Sequence, residues 1–141
     1  MTLERGVETL LSPSADFANR LVEAAVAHGS SLGVSVAACV CDTTGRAIAT
    51  LMHPNAPSHC AGIAQDKASV SAGFRLSSEE LYKSIEDNEA VKIGLATRGG
   101  FALFGGGIPV FVAGQAVGGI GVSGGTEDQD VDCAKHALAA C

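Results

Sequence analysis

The chain has 141 residues, of which 47% are hydrophobic and 17% charged, enough apolar material for one folded core and too little length for two ordinary domains. Nine Lys and Arg stand against fifteen Asp and Glu, for a net charge of −6, and aromatics make up only 4% with no Trp. That balance excludes the basic surface and the base-stacking platform of a nucleic-acid binder.

No apolar run approaches the ~20 residues that span a bilayer, so no membrane partner is expected. The first thirty residues carry Glu4, Arg5 and Glu8 and lack the apolar stretch of a signal peptide. Five Cys, an odd number without an exported context, read as reduced thiols, and the expected location is the cytoplasm. Residues 1–141 are read as a single domain with 1–13 as an N-terminal extension.

In chain order, Ser12-Pro13-Ser14 opens a first helix, since Ser is a good N-cap and Pro is tolerated in the first turn. Phe17, Leu21, Ala24, Ala25 and His28 recur at helical spacing, and Gly29 is placed to end the helix. Val34 to Cys41 reads as a buried strand, Asp42-Thr43-Thr44-Gly45 as a turn, and Arg46 to Leu51 as the returning strand. A loop at His53-Pro54-Asn55-Ala56-Pro57 leads to Ser58, the expected cap of a helix running to Phe74 with Ile63, Lys67 and Val70 on one side. Ser77 and Glu80 form a capping box for a short helix. Residues 88–107 carry no clear period, and one further strand is expected near 100–104.

Ile108 to Val112 and Gln115 to Val122 flank Ala113-Gly114 as a second hairpin. Thr126 and Gln129 box the start of a last helix whose inner stripe is Val131, Ala134 and Leu138. Hairpins separated by helices predict an α+β domain, an antiparallel sheet with helices on its faces.

Several residue groups bear on chemistry. Gly119-x-Gly121-x-x-Gly124 matches a dinucleotide fingerprint, but it follows a hairpin and lacks the acidic residue about 20 positions on, so the glycines are read as close-packing positions. Gly105-Gly106-Gly107 before Ile108-Pro109 either presents backbone N–H groups to a carboxylate or simply turns the chain sharply. His28 shares the apolar stripe of the first helix, where a histidine either ligates an iron centre, packs with a hydrogen bond, or stabilises the helix C-terminus by its charge.

His53, His59 and Cys60 surround the proline loop, with Lys67 downstream, in a spacing that fits no zinc pattern but leaves a proton-moving His beside an anion-binding Lys. Cys39 and Cys41 are two apart on a strand, hence on one face, among apolar neighbours that favour buried inert thiols over a redox pair.

The C-terminal third carries a longer pattern: Gly106-Gly107-Ile108-Pro109, then Gly118-Gly119-Ile120-Gly121-Val122-Ser123-Gly124, then Glu127-Asp128-Gln129-Asp130 with Cys133-Ala134. With Val40-Cys41-Asp42, Gly45 and Lys67-Ala68 upstream, the chain resembles the GlcG/HbpS family, small proteins often described as haem-binding that include the C-terminal domain of PduO-type proteins. The resemblance runs from about residue 14 to the end. It implies a five-stranded antiparallel sheet with helices packed on it, profilin-like or PAS-like, and a homo-oligomer. Where the family often has an Arg-Met-Asp-Gly-Ala stretch, this chain reads Leu51-Met52-His53-Pro54-Asn55-Ala56.

Two functions follow as expectations. The first is a haem- or tetrapyrrole-binding accessory protein, with His28 as the first axial candidate for the haem iron and His53 and His59 after it, and Lys67, Arg98 or the amides of Gly105, Gly106 and Gly107 meeting the propionates. The second is a catabolic hydrolase, deaminase or isomerase for a carboxylated small molecule. There Lys67 binds the carboxylate, His53 or His59 moves protons, and the Gly105–Gly107 amides stabilise an oxyanion.

Overall fold

A computed structural model describes residues 5–141, so the first four residues of the expected 1–13 extension, Glu4 among them, lie outside it. Helix α1 (Ala15–Ser31) begins where expected: the Ser14 hydroxyl accepts the Phe17 amide. It does not stop at Gly29. That glycine is buried against Val36, where a Cβ would come within 2.9 Å of the Val36 side chain. The chain reverses two residues beyond the helix, at Gly33, whose φ of +80° is the left-handed conformation that glycine adopts without strain.

Strands β1 (Ala37–Asp42) and β2 (Ala47–Met52) form the first hairpin, and β3 (Gly107–Val112) and β4 (Gln115–Ser123) the second. Asp42 ties the first turn together, its Oδ1 accepting from the amides of Thr44 and Arg46 and from the Thr44 hydroxyl. Ala113 and Gly114, both at positive φ, close the second. The hairpins pair through β1 and β4 in the order β2-β1-β4-β3, every pair antiparallel.

The sheet therefore has four strands, not the five expected. Residues 101–106 are irregular because side chains take their backbone groups: the Ser78 hydroxyl donates to the Phe104 carbonyl, and the Gly105 amide donates to Glu127 Oε1. Positive φ at Gly99, Gly100 and Gly106 breaks the extended geometry on both sides.

Helix α2 (Cys60–Phe74) starts two residues after the expected Ser58 cap, and its N-cap residue, His59, makes no side-chain capping bond. Helix α3 (Ser78–Ile85) has the expected Ser77/Glu80 box, and α5 (Glu127–Ala140) the Thr126/Gln129 box. Between them, α4 (Glu89–Arg98), capped by Asn88, was hidden to sequence reasoning because none of its residues is buried. Among the described residues no helix is long and apolar enough to cross a membrane.

The layers are helix, sheet, helix. On one face α1 and α5 pack over Ala38, Val40, Val110, Ile120 and Val122, with Leu21, Ala25, Cys133 and Ala137 in the same cluster. On the other face Ala64, Ala68 and Ala72 of α2 lie against Ala37, Cys39 and Cys41. The approach of α2 is unusually close because Gly107, Gly119 and Gly121 face it. A Cβ on Gly119 would sit 2.3 Å from the Ala68 carbonyl oxygen, and one on Gly121 would sit 2.1 Å from that of Ala64. The fingerprint-like glycines are thus packing positions, as their hairpin context indicated.

Candidate functional site

Lys67 occupies the centre of the α2–sheet contact and is fully buried. Its ammonium donates to the Val122 carbonyl at 2.8 Å and to Asp130 Oδ2 at 3.1 Å, and it lies 4.8 Å from the centroid of the Phe104 ring. Asp130 also accepts from the Gly125 amide. Burial pushes the Asp130 carboxyl above its ordinary value, against the opposing pull of the Lys67 charge and the backbone hydrogen bonds. Lys67 does come beside the glycine turn: a Cβ on Gly106 would be 2.7 Å from its Nζ, and one on Gly107 would be 2.4 Å from its backbone oxygen. The contact is a packing contact. All of the lysine's identified polar partners are internal, so its charge holds β4 and α5 to α2.

The turn's amides are engaged as well. Gly105 N donates to Glu127 and Gly107 N to the Ser78 hydroxyl, so these two donors are spent on α5 and α3. The cations that line a cavity with Gly106 and Gly107 are Lys83 and Lys135, in a space of about 290 Å³ that also takes in Glu79 and Glu80. Arg98, the last residue of α4, is exposed on a helix whose only element contacts are with α3.

His28 packs between α1 and α5. Its Nε2 lies 3.0 Å from Asp132 Oδ2, and its ring stacks on His136 with centroids 4.0 Å apart. His53 folds back on its own loop, Nδ1 accepting the Asn55 amide at 3.1 Å. His59 is exposed and Cys60 buried at the start of α2. The structure thus unites Lys67 with the glycine turn, whereas the identified side-chain contacts of His53 and His28 lie elsewhere.

One open groove was not anticipated. It runs between the β3 edge and helices α1 and α5, encloses about 580 Å³, and is lined by Phe17, Pro109, Phe111, Val112, Leu138 and their neighbours Arg20 and Cys141. Phe111 is 52% exposed, a large apolar side chain that the fold leaves uncovered. Arg20 sits over the Phe17 ring, 5.7 Å from its centroid, and pairs with Asp16. Cys141 Sγ lies 3.6 Å from the Arg20 carbonyl. The sequence signals were Phe17 and Arg20, one turn apart, and an aromatic at the tip of a hairpin; neither says that the two elements line one groove.

On the far face, Cys39 and Cys41 bring their sulfurs to 4.0 Å, and the Thr50 hydroxyl reaches Cys39 Sγ at 3.5 Å. The hydrogen bond from Cys41, with that from Thr50, holds the Cys39 thiol down to about 7 against the effect of burial, while Cys41 is pushed up by the same partner and by burial.

Comparison with known proteins places this geometry. A family model described as "Haem degrading protein HbpS-like" matches residues 14–139. The corrinoid adenosyltransferase PduO of Citrobacter freundii is 31% identical over 135 residues, covering 94% of this chain and 40% of that protein. The chain thus spans about two fifths of the length of that relative. Among solved structures, a PduOC–haem complex superposes with a TM-score of 0.84 at 28% identity, over 93% of this chain and 96% of that one. A double mutant of Streptomyces reticuli HbpS gives a TM-score of 0.86 at 25% identity, over 99% and 94% of the two chains.

Proposed function

The chain belongs to the HbpS-like family, and on that premise we propose that it is a small accessory protein that binds haem in the groove between β3, α1 and α5. The observation that carries the reading is the exposed apolar wall of Phe17, Pro109, Phe111, Val112 and Leu138 with Arg20 on its rim. A haem needs an apolar surface for the macrocycle, a cation for the propionates and an axial ligand, and the groove offers one of each. The likeness to a PduOC–haem complex points the same way.

Bound haem supplies the redox-active iron; the protein supplies position. Phe17 and Phe111 would hold the macrocycle, and burying them would add about 25 cal/mol for every Å² of apolar surface removed from water. Arg20, which pairs with Asp16, would be the cation that holds a propionate. The Cys141 thiol is the sulfur ligand available on the groove wall. His28 is eleven residues from Phe17 along α1, about 16 Å of helix, and already has Asp132 and His136 as partners. This reading therefore assigns the ligand to Cys141 before His28. The groove is open along the β3 edge, so a second copy covering it fits a homo-oligomer.

The test is a hemin titration followed by visible absorption. We expect saturation at one haem per chain, roughly tenfold weaker binding in Phe111→Ala, and a displaced Soret band in Cys141→Ser with His28→Ala unchanged. Featureless, non-saturating absorbance, or binding indifferent to Phe111→Ala, overturns the groove. A spectrum lost only in His28→Ala moves the site to the α1–α5 seam.

A further inference from the structure

The sheet face opposite the groove holds an unusual share of the protein's sulfur. Residues 39 and 41 of β1 point to the same side, under α2, and Cys60 from the first turn of α2 belongs to the same buried cluster. Met52 of β2 packs against that cluster, so three thiols and a thioether share a pocket otherwise built mainly of alanine. The cluster is not a preformed zinc site: among the described residues no group of three or more His, Cys, Asp or Glu is spaced to hold a metal, and structural zinc takes four ligands. Two sulfurs are nevertheless in register, with Cys39 and Cys41 Sγ 4.0 Å apart.

We propose that Cys39 and Cys41 form a two-sulfur binding site for a soft monovalent metal ion of the Cu(I) type. Soft thiolate ligands select such ions over the harder divalent ones. With metal–sulfur bonds of about 2.3 Å, an ion bridging sulfurs 4.0 Å apart lies about 1 Å off the line between them. The Thr50 hydroxyl donates to Cys39 Sγ at 3.5 Å, so a hydrogen-bond donor already faces a sulfur that carries charge in the complex.

Binding exchanges thiol protons for the metal: two thiols and a monovalent cation give a bis-thiolate complex of charge −1 and two released protons. No electron is transferred. Entry is from the α2 N-terminus, where Ala56 and Cys60, at 8% and 6% exposed, are the cluster members nearest solvent. Cys60 can pass the ion inward by ligand exchange.

The experiment is an anaerobic titration of the full chain with Cu(I) against a chromophoric Cu(I) chelator, read together with X-ray absorption at the copper edge. One tightly held ion per chain with two sulfur scatterers is expected. Cys39→Ser and Cys41→Ser should each weaken retention at least tenfold, with Cys133→Ser and Cys141→Ser unchanged. Retention that survives both β1 substitutions, or that is lost in Cys141→Ser, overturns the site; so does a copper edge without sulfur neighbours. X-ray absorption on the unmodified chain keeps the test decisive if a variant misfolds. Because Cys39 and Cys41 lie across the sheet from the groove, failure here leaves the haem reading standing, and the reverse also holds.

Discussion

Replacing Gly121 with alanine tests the close approach of α2 on which the rest of the architecture depends. The added Cβ would sit 2.1 Å from the Ala64 carbonyl oxygen, 2.5 Å from the Ala68 amide nitrogen and 2.9 Å from Lys67 Cβ. Ordinary van der Waals contact begins at 3.4 Å, so α2 has to lift by about 1.3 Å at this point. Two of the three obstructing atoms are backbone, and no rotamer change removes them. Overpacking in a core typically costs about 1–3 kcal/mol, and a gap of 0.5–1 Å already forfeits about a quarter to a half of each dispersion contact along the helix. The lift also pulls on the Lys67–Asp130 pair.

A loss of about 3 kcal/mol or more is therefore expected for Gly121→Ala, and at this chain length a fall in Tm of about 10 °C. Gly62→Ala is the internal control. It lies on α2 itself with nothing within 4 Å of its would-be Cβ, and it should gain about 0.5–1 kcal/mol from the lower entropy of the unfolded chain. Urea unfolding of the two variants beside the parent checks both signs. A Gly121→Ala variant within about 0.5 kcal/mol of the parent would refute the close-packing argument.

Two further outcomes are expected. Lys67→Met leaves the buried Asp130 carboxylate without its cation and should cost about 3–5 kcal/mol at neutral pH; chemical denaturation measures it, and a near-neutral result would mean that Lys67 does not hold α5 to the sheet. Asp42, despite burial, is held below the ordinary carboxylate range by hydrogen bonds from Thr44 and Arg46 and by the Arg46 charge. A depressed folded value adds stability that is present above about pH 4 and disappears as pH falls through the folded value. The acid limb of a Tm-against-pH curve should therefore be shallower in Asp42→Asn, and an unchanged limb would remove Asp42 from the account.

Sequence patterning carried much of this protein. Both hairpins, the capping boxes at Ser77 and Thr126, the helical stripe of α1 and the α+β class are consequences of local rules: alternation, 3.6-residue spacing and turn chemistry act within a few residues of one another. The family resemblance rested on the long glycine-rich run from Gly118 to Gly124, and the family match bears it out. Sequence reasoning failed where backbone partners came from far along the chain. No strand forms near 100–104: Gly100 is at positive φ, Ser78 takes the Phe104 carbonyl from 26 residues away, and Glu127 takes the next amide, that of Gly105, from 22 residues away. Helix α4 went unread because it buries no residue and so shows no stripe.

The site divides in the same way. Sequence alone singled out Lys67, the glycine turn and the Cys39–Cys41 pair, the last as buried inert thiols, since a residue type and a spacing are enough for that. Only the tertiary structure decided what each of them does. Lys67 became internal because three glycines let α2 descend onto the sheet and Asp130 rose from α5 to meet its charge. The groove exists because Phe17 and Phe111, 94 residues apart, are brought to one groove by α5, which packs on both α1 and β3. Burial and long-range pairing are properties of how the elements pack on one another, and no local pattern encodes them.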